Sequence, residues 1–180
     1  MLNKIVILDR DGVINEDLLG YVTKPKDFKP IPGSIESISK LSQNGIKVAI
    51  ATNQACINRK IITKEDLEIV HKYMMSLVLE ANGIIDYIAY CPHAPEEKCP
   101  CRKPEIGLLK KIEKKLNLPI KNSFFVGDKE SDILAAKKYG CIPLLVKTGY
   151  GNKTLKTKSC PPAKHCFESL KEAVSYILKK

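Results

Sequence analysis

Apolar runs that end abruptly in polar tips set the rhythm of this chain. Ile5, Val6, Ile7 and Leu8 form a continuous, mostly β-branched run, as in a strand buried on both faces, and it stops at Asp9. Similar runs predict strands over 46–51, 84–90, 123–126 and 142–146. Helical periodicity fills the gaps. Ser34 is placed to cap a helix with Ile35, Ile38 and Leu41 on one face, ended by Asn44-Gly45. Thr63 and Asp66 make a capping-box-like start to a helix reaching about Ala81, with Leu67, Val70, Met74, Leu77 and Val78 as its buried stripe. Met74 and Met75 are expected to pack rather than touch a ligand. Further helices are expected over 105–117 (Ile106, Leu109, Ile112 and Leu116 inward), from Ile133, Leu134 and Ala136 to a stop at Gly140, and over 169–179. The proline-bearing segment 16–32 and the segment 152–166 are expected to be loops. Strands alternate with helices about five times, which argues an α/β, Rossmann-like parallel sheet with helices on both faces. At 180 residues the chain is expected to make a single domain, 1–180, with no stretch long enough for a second large one.

Three predicted strands end in chemistry, and parallel strands bring those ends to one edge of the sheet. The first carries Asp9 and Asp11, two carboxylates that call for a divalent cation partner. With Mg²⁺ against a phosphate, one Asp can attack phosphorus while the other handles the leaving group's proton. The second carries Thr52, Asn53 and Gln54, where hydroxyl and amide can hydrogen-bond a phosphate oxygen. The fourth runs into Gly127-Asp128-Lys129, with Asp132 one turn on. An Asp-Gly turn alone would be unremarkable. The convergence of three such tips is what favours a site.

Composition narrows the class. The formal net charge is +10 over 180 residues, with the lysines dispersed. That suits an anionic small-molecule substrate on a lysine-rich solvated surface. No aromatic-plus-basic cluster suited to stacking bases is visible and there is no tryptophan, so no nucleic-acid partner is expected. The apolar opening is too short for a signal peptide or a membrane span, and no later run reaches membrane length. The expectation is a soluble, cytoplasmic monomer with no membrane partner.

Seven cysteines without an export signal argue against a disulfide framework. Four donors, Cys91, His93, Cys99 and Cys101, fall within 91–101 and match a closed Cys₃His site for structural Zn²⁺. Arg102 and Lys103 follow at once, so the loop would aim two cations. Cys160, His165 and Cys166 lack a fourth ligand and a standard spacing, and a second metal is not expected there.

With these motifs in place, the sequence resembles the haloacid dehalogenase superfamily of Mg²⁺-dependent phosphatases. LDRDGVIN, GYV, TNQ, CPH…CPCRKP and GDKESD resemble the D-glycero-D-manno-heptose 1,7-bisphosphate 7-phosphatases and the related histidinol-phosphate phosphatases, over about residues 4–150. The resemblance implies that Asp9 is the nucleophile forming an aspartyl-phosphate and Asp11 the acid/base. It implies that Thr52, Asn53 and Lys103 hold the phosphoryl group, and that Asp128 completes the Mg²⁺ site with the Asp9 carboxylate and the Asp11 carbonyl. Arg10, Gly20, Tyr21, Gln54, Arg102 and Lys129 are implied substrate contacts.

Three positions depart from the family pattern: Val13 where Thr is usual, and Cys56 and Lys60 where glycines are expected. A Cβ restricts φ, so the loop after Thr52 is expected to run differently. A heptose bisphosphatase serving envelope-glycan precursor synthesis, a histidinol-phosphate phosphatase, and a non-catalytic binding protein on the same fold all remain open at this point. A second phosphate needs cations away from the Mg²⁺, and Arg102, Lys129 and Arg59 or Lys60 could supply them, which favours a bisphosphate over an ammonium-bearing substrate.

Overall fold

The structure, a computed structural model, describes residues 4–18 and 20–180. The first three residues of the apolar opening and Leu19 of the predicted 16–32 loop lie outside the described residues. Strand β1 is Ile5–Leu8, β2 Lys47–Asn53, β3 Tyr87–Cys91, β4 Phe124–Gly127, β5 Ile142–Val146 and β6 Cys166–Phe167. They form one six-stranded sheet in the order β3-β2-β1-β4-β5-β6, and every pairing is parallel. The helices are α1 Ser34–Gln43, α2 Lys64–Glu80, α3 Gly107–Leu116, α4 Glu130–Tyr139, α5 Gly151–Thr154 and α6 Leu170–Ile177.

The pleat sorts the apolar run of β1. Val6 and Leu8 face one layer with Ile38 and Leu41 of α1, Val70 and Met74 of α2, and Val174 and Ile177 of α6. Ile5 and Ile7 face the other, with Leu109 and Ile112 of α3 and Ala135 and Ala136 of α4. A strand covered on both sides has no polar position to spare, which is why β1 reads as an unbroken apolar run. The crossovers leave β1 and β4 in opposite directions. Their shared C-terminal edge is therefore the switch point where open α/β sheets bind ligands.

Several expectations need correction. Gly33, at φ +81°, is the N-cap of α1, while Ser34 is the first helical residue and donates to the Ile14 carbonyl at 2.6 Å. Leu134 and Met75 are exposed; the phase of α4 buries Asp132 and Ala135 instead. The segment 152–166 is not all loop, because it overlaps α5 and contains a helical turn at Ala163–His165, followed by β6. A two-residue strand carries too little periodicity to be seen in sequence. The segment 16–32 likewise holds a helical turn at Pro25–Asp27. Lys60 stands at φ +54°, the left-handed backbone a glycine would adopt freely. Val13 is fully buried in the core, where an apolar side chain is at home.

Candidate active site

A cleft of ≈ 450 Å³ opens at the C-terminal edge of the sheet, lined by Asp9, Asp11, Thr52, Asn53, Gln54, Arg102, Lys103 and Lys129. Asp9 leaves the tip of β1, where its N–H donates to the Val126 carbonyl of β4 at 2.9 Å. Its Oδ1 accepts from the Arg10 N–H at 2.7 Å and pairs with Lys103 Nζ at 2.9 Å. Among the described residues no hydrogen-bond donor reaches Oδ2, which lies free for chemistry. Lys103 also donates to the Ala51 carbonyl at 2.6 Å and pairs with Asp132 Oδ1 at 2.6 Å. Burial lowers the pKa of this ammonium, but Asp132 and Asp9 outweigh burial and raise it.

Asp9, Asp128 and Asp132 bring carboxylate oxygens within 4.8 Å of one another. Asp128 is fully buried and its Oδ1 has no hydrogen-bond partner, while Oδ2 accepts from the Tyr150 N–H at 2.8 Å. Burial, with Asp132 and Asp9 beside it, pushes its pKa well above the usual carboxylate range. Burial and Asp9 push Asp132 up to about 6. Asp132 accepts from the Lys129 N–H at 3.0 Å and shares Lys103 with Asp9, so the unmet demand for positive charge falls chiefly on Asp128. An all-oxygen, multiply anionic pocket with one orphaned carboxylate oxygen fits a hard divalent cation. Gly12, at φ +86°, leaves room for the Asp128 carboxylate itself, since a Cβ there would collide with Asp128 Oδ2.

Asp11 faces a different set. Arg10 grips it through Nε and Nη2 at 2.9–3.1 Å, and Asn15 and Gln54 each donate to it at 2.9 Å. Burial raises the Asp11 pKa, but Arg10, Asn15 and Gln54 together lower it. Gln54 also donates to Thr52 Oγ1 at 2.9 Å. The Arg10 side chain is only 1 % exposed and is spent on Asp11, Gln54 at 3.2 Å and His71 at 3.2 Å. Its guanidinium is thus engaged in the wall of the cleft. Asn53 is similarly committed, exchanging two 3.1 Å bonds with the backbone of Lys103. Thr52, whose hydroxyl accepts from Gln54, is among the residues that line the cleft.

At the mouth, Gly20 is exposed and Tyr21 half-buried, its hydroxyl accepting from Arg59 at 2.5 Å. Lys129 pairs with Asp17 at 2.7 Å and lies over the Tyr150 ring. Burial lowers its pKa, but Asp9, Asp128 and Asp17 prevail and raise it. Arg102 donates to the His93 carbonyl at 2.9 Å, so the cysteine-rich loop fixes its direction.

That loop closes on itself. The Cys91, Cys99 and Cys101 thiol sulfurs and His93 Nδ1 lie within 4.8 Å of one another, with neighbouring donors 3.1–3.5 Å apart. Tetrahedral Zn²⁺ with thiolate and imidazole ligands has donor–donor edges of roughly 3.5–3.8 Å, so the four donors fit such an ion with a small expansion. The Arg102 N–H donates to Cys99 Sγ at 3.3 Å, tying the cluster to the cleft. By contrast Cys160 and Cys166 stand 4.0 Å apart, and the His165 ring packs on Tyr176.

Comparison with known proteins is consistent across sequence and structure. The D-glycero-beta-D-manno-heptose-1,7-bisphosphate 7-phosphatase of Pseudomonas putida is 43% identical over 93% of this chain and 95% of its own. Its counterpart in Pseudomonas aeruginosa is 42% identical over 99% and 100%. The chain belongs to the heptose-1,7-bisphosphate 7-phosphatase family. The HAD-hydrolase-like family model matches residues 100–173. The crystal structure of D,D-heptose 1,7-bisphosphate phosphatase from B. bronchiseptica, complexed with magnesium and phosphate, superposes with a TM-score of 0.93, at 35% identity over 98% of both chains.

Within this phosphatase family member, three residues of the site escaped the sequence reading. Asp132, one turn past Asp128 in sequence, anchors Lys103. Thr154, in the segment expected to be loop, donates to the Asp128 carbonyl at 2.7 Å. His71 sits in the otherwise apolar stripe of α2, and that polar interruption was the available signal.

Proposed function

We propose that this phosphatase removes the C7 phosphate of D-glycero-D-manno-heptose 1,7-bisphosphate through an aspartyl-phosphate on Asp9. The observation that carries the reading is the single cleft shared by Asp9, Asp11, Thr52 and Lys103, with Asp128 beneath it. Asp9 Oδ2 attacks phosphorus as the bond to the sugar oxygen breaks, and Asp11 gives that oxygen its proton. The dianionic phosphate beside Asp11 raises its proton affinity when substrate arrives. Asp11 then takes a proton from the water that hydrolyses the acyl phosphate, which returns both carboxyls to their starting state. Thr52 and Lys103 hold the phosphoryl oxygens as charge spreads over them. Asp9, Asp128 and the Asp11 carbonyl would hold Mg²⁺, which when bound neutralises phosphoryl charge. Cys91, His93, Cys99 and Cys101 would hold structural Zn²⁺ and keep Arg102 and Lys103 aimed.

Substrate choice rests with the mouth. Arg59, Arg102 and Lys129, with Gly20, Tyr21 and Gln54 as further contacts, favour a second phosphate over the ammonium of histidinol phosphate. The names of the relatives support the same substrate. The product, the 1-phosphate, suits heptose-nucleotide synthesis for an envelope glycan. We read 1–180 as one domain acting as a cytoplasmic monomer; no helix of the described residues is long and apolar enough to cross a membrane.

The test compares kcat/KM for the heptose bisphosphate and histidinol phosphate on wild type and Arg102→Ala. A wild-type preference for the bisphosphate, reduced by Arg102→Ala, is expected. A preference for histidinol phosphate would overturn the substrate and leave the phosphatase.

A further inference from the structure

His71 is the one polar side chain in the buried stripe of α2, between Val70 and Met74, and only 6 % of it is exposed. Its ring is set by Tyr90, with centroids 5.9 Å apart, and its Nε2 lies 3.2 Å from Arg10 Nη1. A guanidinium has only protons to give, so Nε2 must present its lone pair and the imidazole must be neutral. Burial, then the charge of Arg10, pushes the His71 pKa down to about 3, in agreement with that polarity.

The geometry matters because Arg10 is a rigid planar fork. Nε and Nη2 hold both oxygens of Asp11, and Nη2 also reaches Gln54, whereas Nη1 has His71 as its side-chain partner. Without His71, a buried N–H of a charged group would lose its acceptor. The plane would then turn toward water and carry Nε and Nη2 with it. Asp11 follows those two atoms.

We propose that His71 is a positioning residue for proton transfer, holding through Nε2 the Arg10 fork that aims the Asp11 carboxyl at the leaving oxygen. This rests on the acid/base reading of Asp11, and the experiment separates the two.

A sugar alkoxide needs a proton to depart, whereas p-nitrophenolate does not, and kcat/KM counts only steps through that departure. His71→Leu is expected to lower kcat/KM for the heptose bisphosphate roughly tenfold or more while changing that for p-nitrophenyl phosphate less than about twofold. His71→Gln, which restores an acceptor, is expected to recover most of the loss. Equal loss on both substrates, or no loss on either, would overturn the proposal, since a packing role moves both together. If circular dichroism shows His71→Leu unfolded, His71→Asn serves instead: it is polar but too short to reach Arg10, and a wild-type ratio of the two substrates would overturn the proposal. Asp11→Asn is run alongside. If it spares the heptose bisphosphate relative to p-nitrophenyl phosphate, the acid/base reading falls, and this inference with it. If Asp11→Asn is selective and His71→Leu is not, only this inference falls.

Discussion

Lys103 Nζ stands 2.9 Å from Asp9 Oδ1, with 1 % of the lysine side chain and 6 % of the aspartate side chain exposed. A residue that follows the cysteine-rich loop thus meets the proposed nucleophile at the tip of β1 in a largely buried pair. Lys103→Met is expected to leave Asp9 and Asp132 as unpaired buried anions. Removing one partner of a buried pair costs about 3–5 kcal/mol. Urea denaturation should show a loss of that order, and kcat should fall on the order of 10²–10³-fold. Near-wild-type turnover would remove Lys103 from the phosphoryl site.

Asp9→Asn keeps the shape of the side chain and its contact with the Arg10 N–H, but lacks the nucleophilic charge. Turnover is expected to fall by on the order of 10³-fold or more, with an unchanged circular dichroism spectrum. Ordinary activity in the purified variant would end the covalent-aspartate mechanism.

The metals are expected to separate by role. Zinc held by three thiolates should survive purification at about one per chain in elemental analysis. Cys99→Ala should lower zinc content, and activity with it, because Cys99 Sγ accepts from Arg102 N–H at the root of the loop's two cations. Zinc-free protein with full activity would show that the cluster has another purpose.

Mg²⁺ binding is expected to strengthen with pH. Asp128 and Asp132 have folded pKa values above their unfolded value near 3.8: burial, then Asp132 and Asp9, raise Asp128, and burial, then Asp9, raise Asp132 to about 6. The folded state therefore binds more protons than the unfolded state above about pH 4. The stability these two groups give is fully present below that pH and is lost as pH rises through the folded pKa of each, about 6 for Asp132. A divalent cation takes the carboxylate form and offsets the loss. The rise in Tm produced by Mg²⁺ should accordingly grow between pH 5 and pH 7.5. A rise that does not depend on pH would contradict the carboxylate cluster as its seat.

Lys60 is exposed and sits at φ +54°, where a Cβ is strained. Lys60→Gly should raise stability by about 0.5–1 kcal/mol, the relief of strain exceeding the extra freedom of an unfolded glycine. Urea denaturation measures it, and a loss of stability would mean that the lysine side chain contributes more than its backbone costs.

What the sequence by itself determined is local, or follows from one rule about direction. Burial on both faces forces the apolar run Ile5–Leu8, so the first charged residue, Asp9, has to mark the strand's end. The Thr63–Asp66 capping box needs only residues three apart, and the structure contains it. Four donors within 91–101 needed no knowledge of the rest of the chain to be recognised as a cluster. What only the tertiary structure decided is partnership across long separations. Nothing near His71 in sequence says that α2 will lay it against Arg10, 61 positions away, because that depends on how the helix crosses β1 and β2. The same holds for Asn53, whose amide was expected to hold phosphate and instead bonds the backbone of Lys103, 50 positions on. It holds for Asp132, which becomes the anchor of Lys103 only once α3 carries the chain from β3 to β4. Hydrogen bonds and ion pairs act over about 3 Å. Periodicity tells which face a residue takes, but it cannot bring two atoms of distant segments within that reach; the packing of helices on the sheet does.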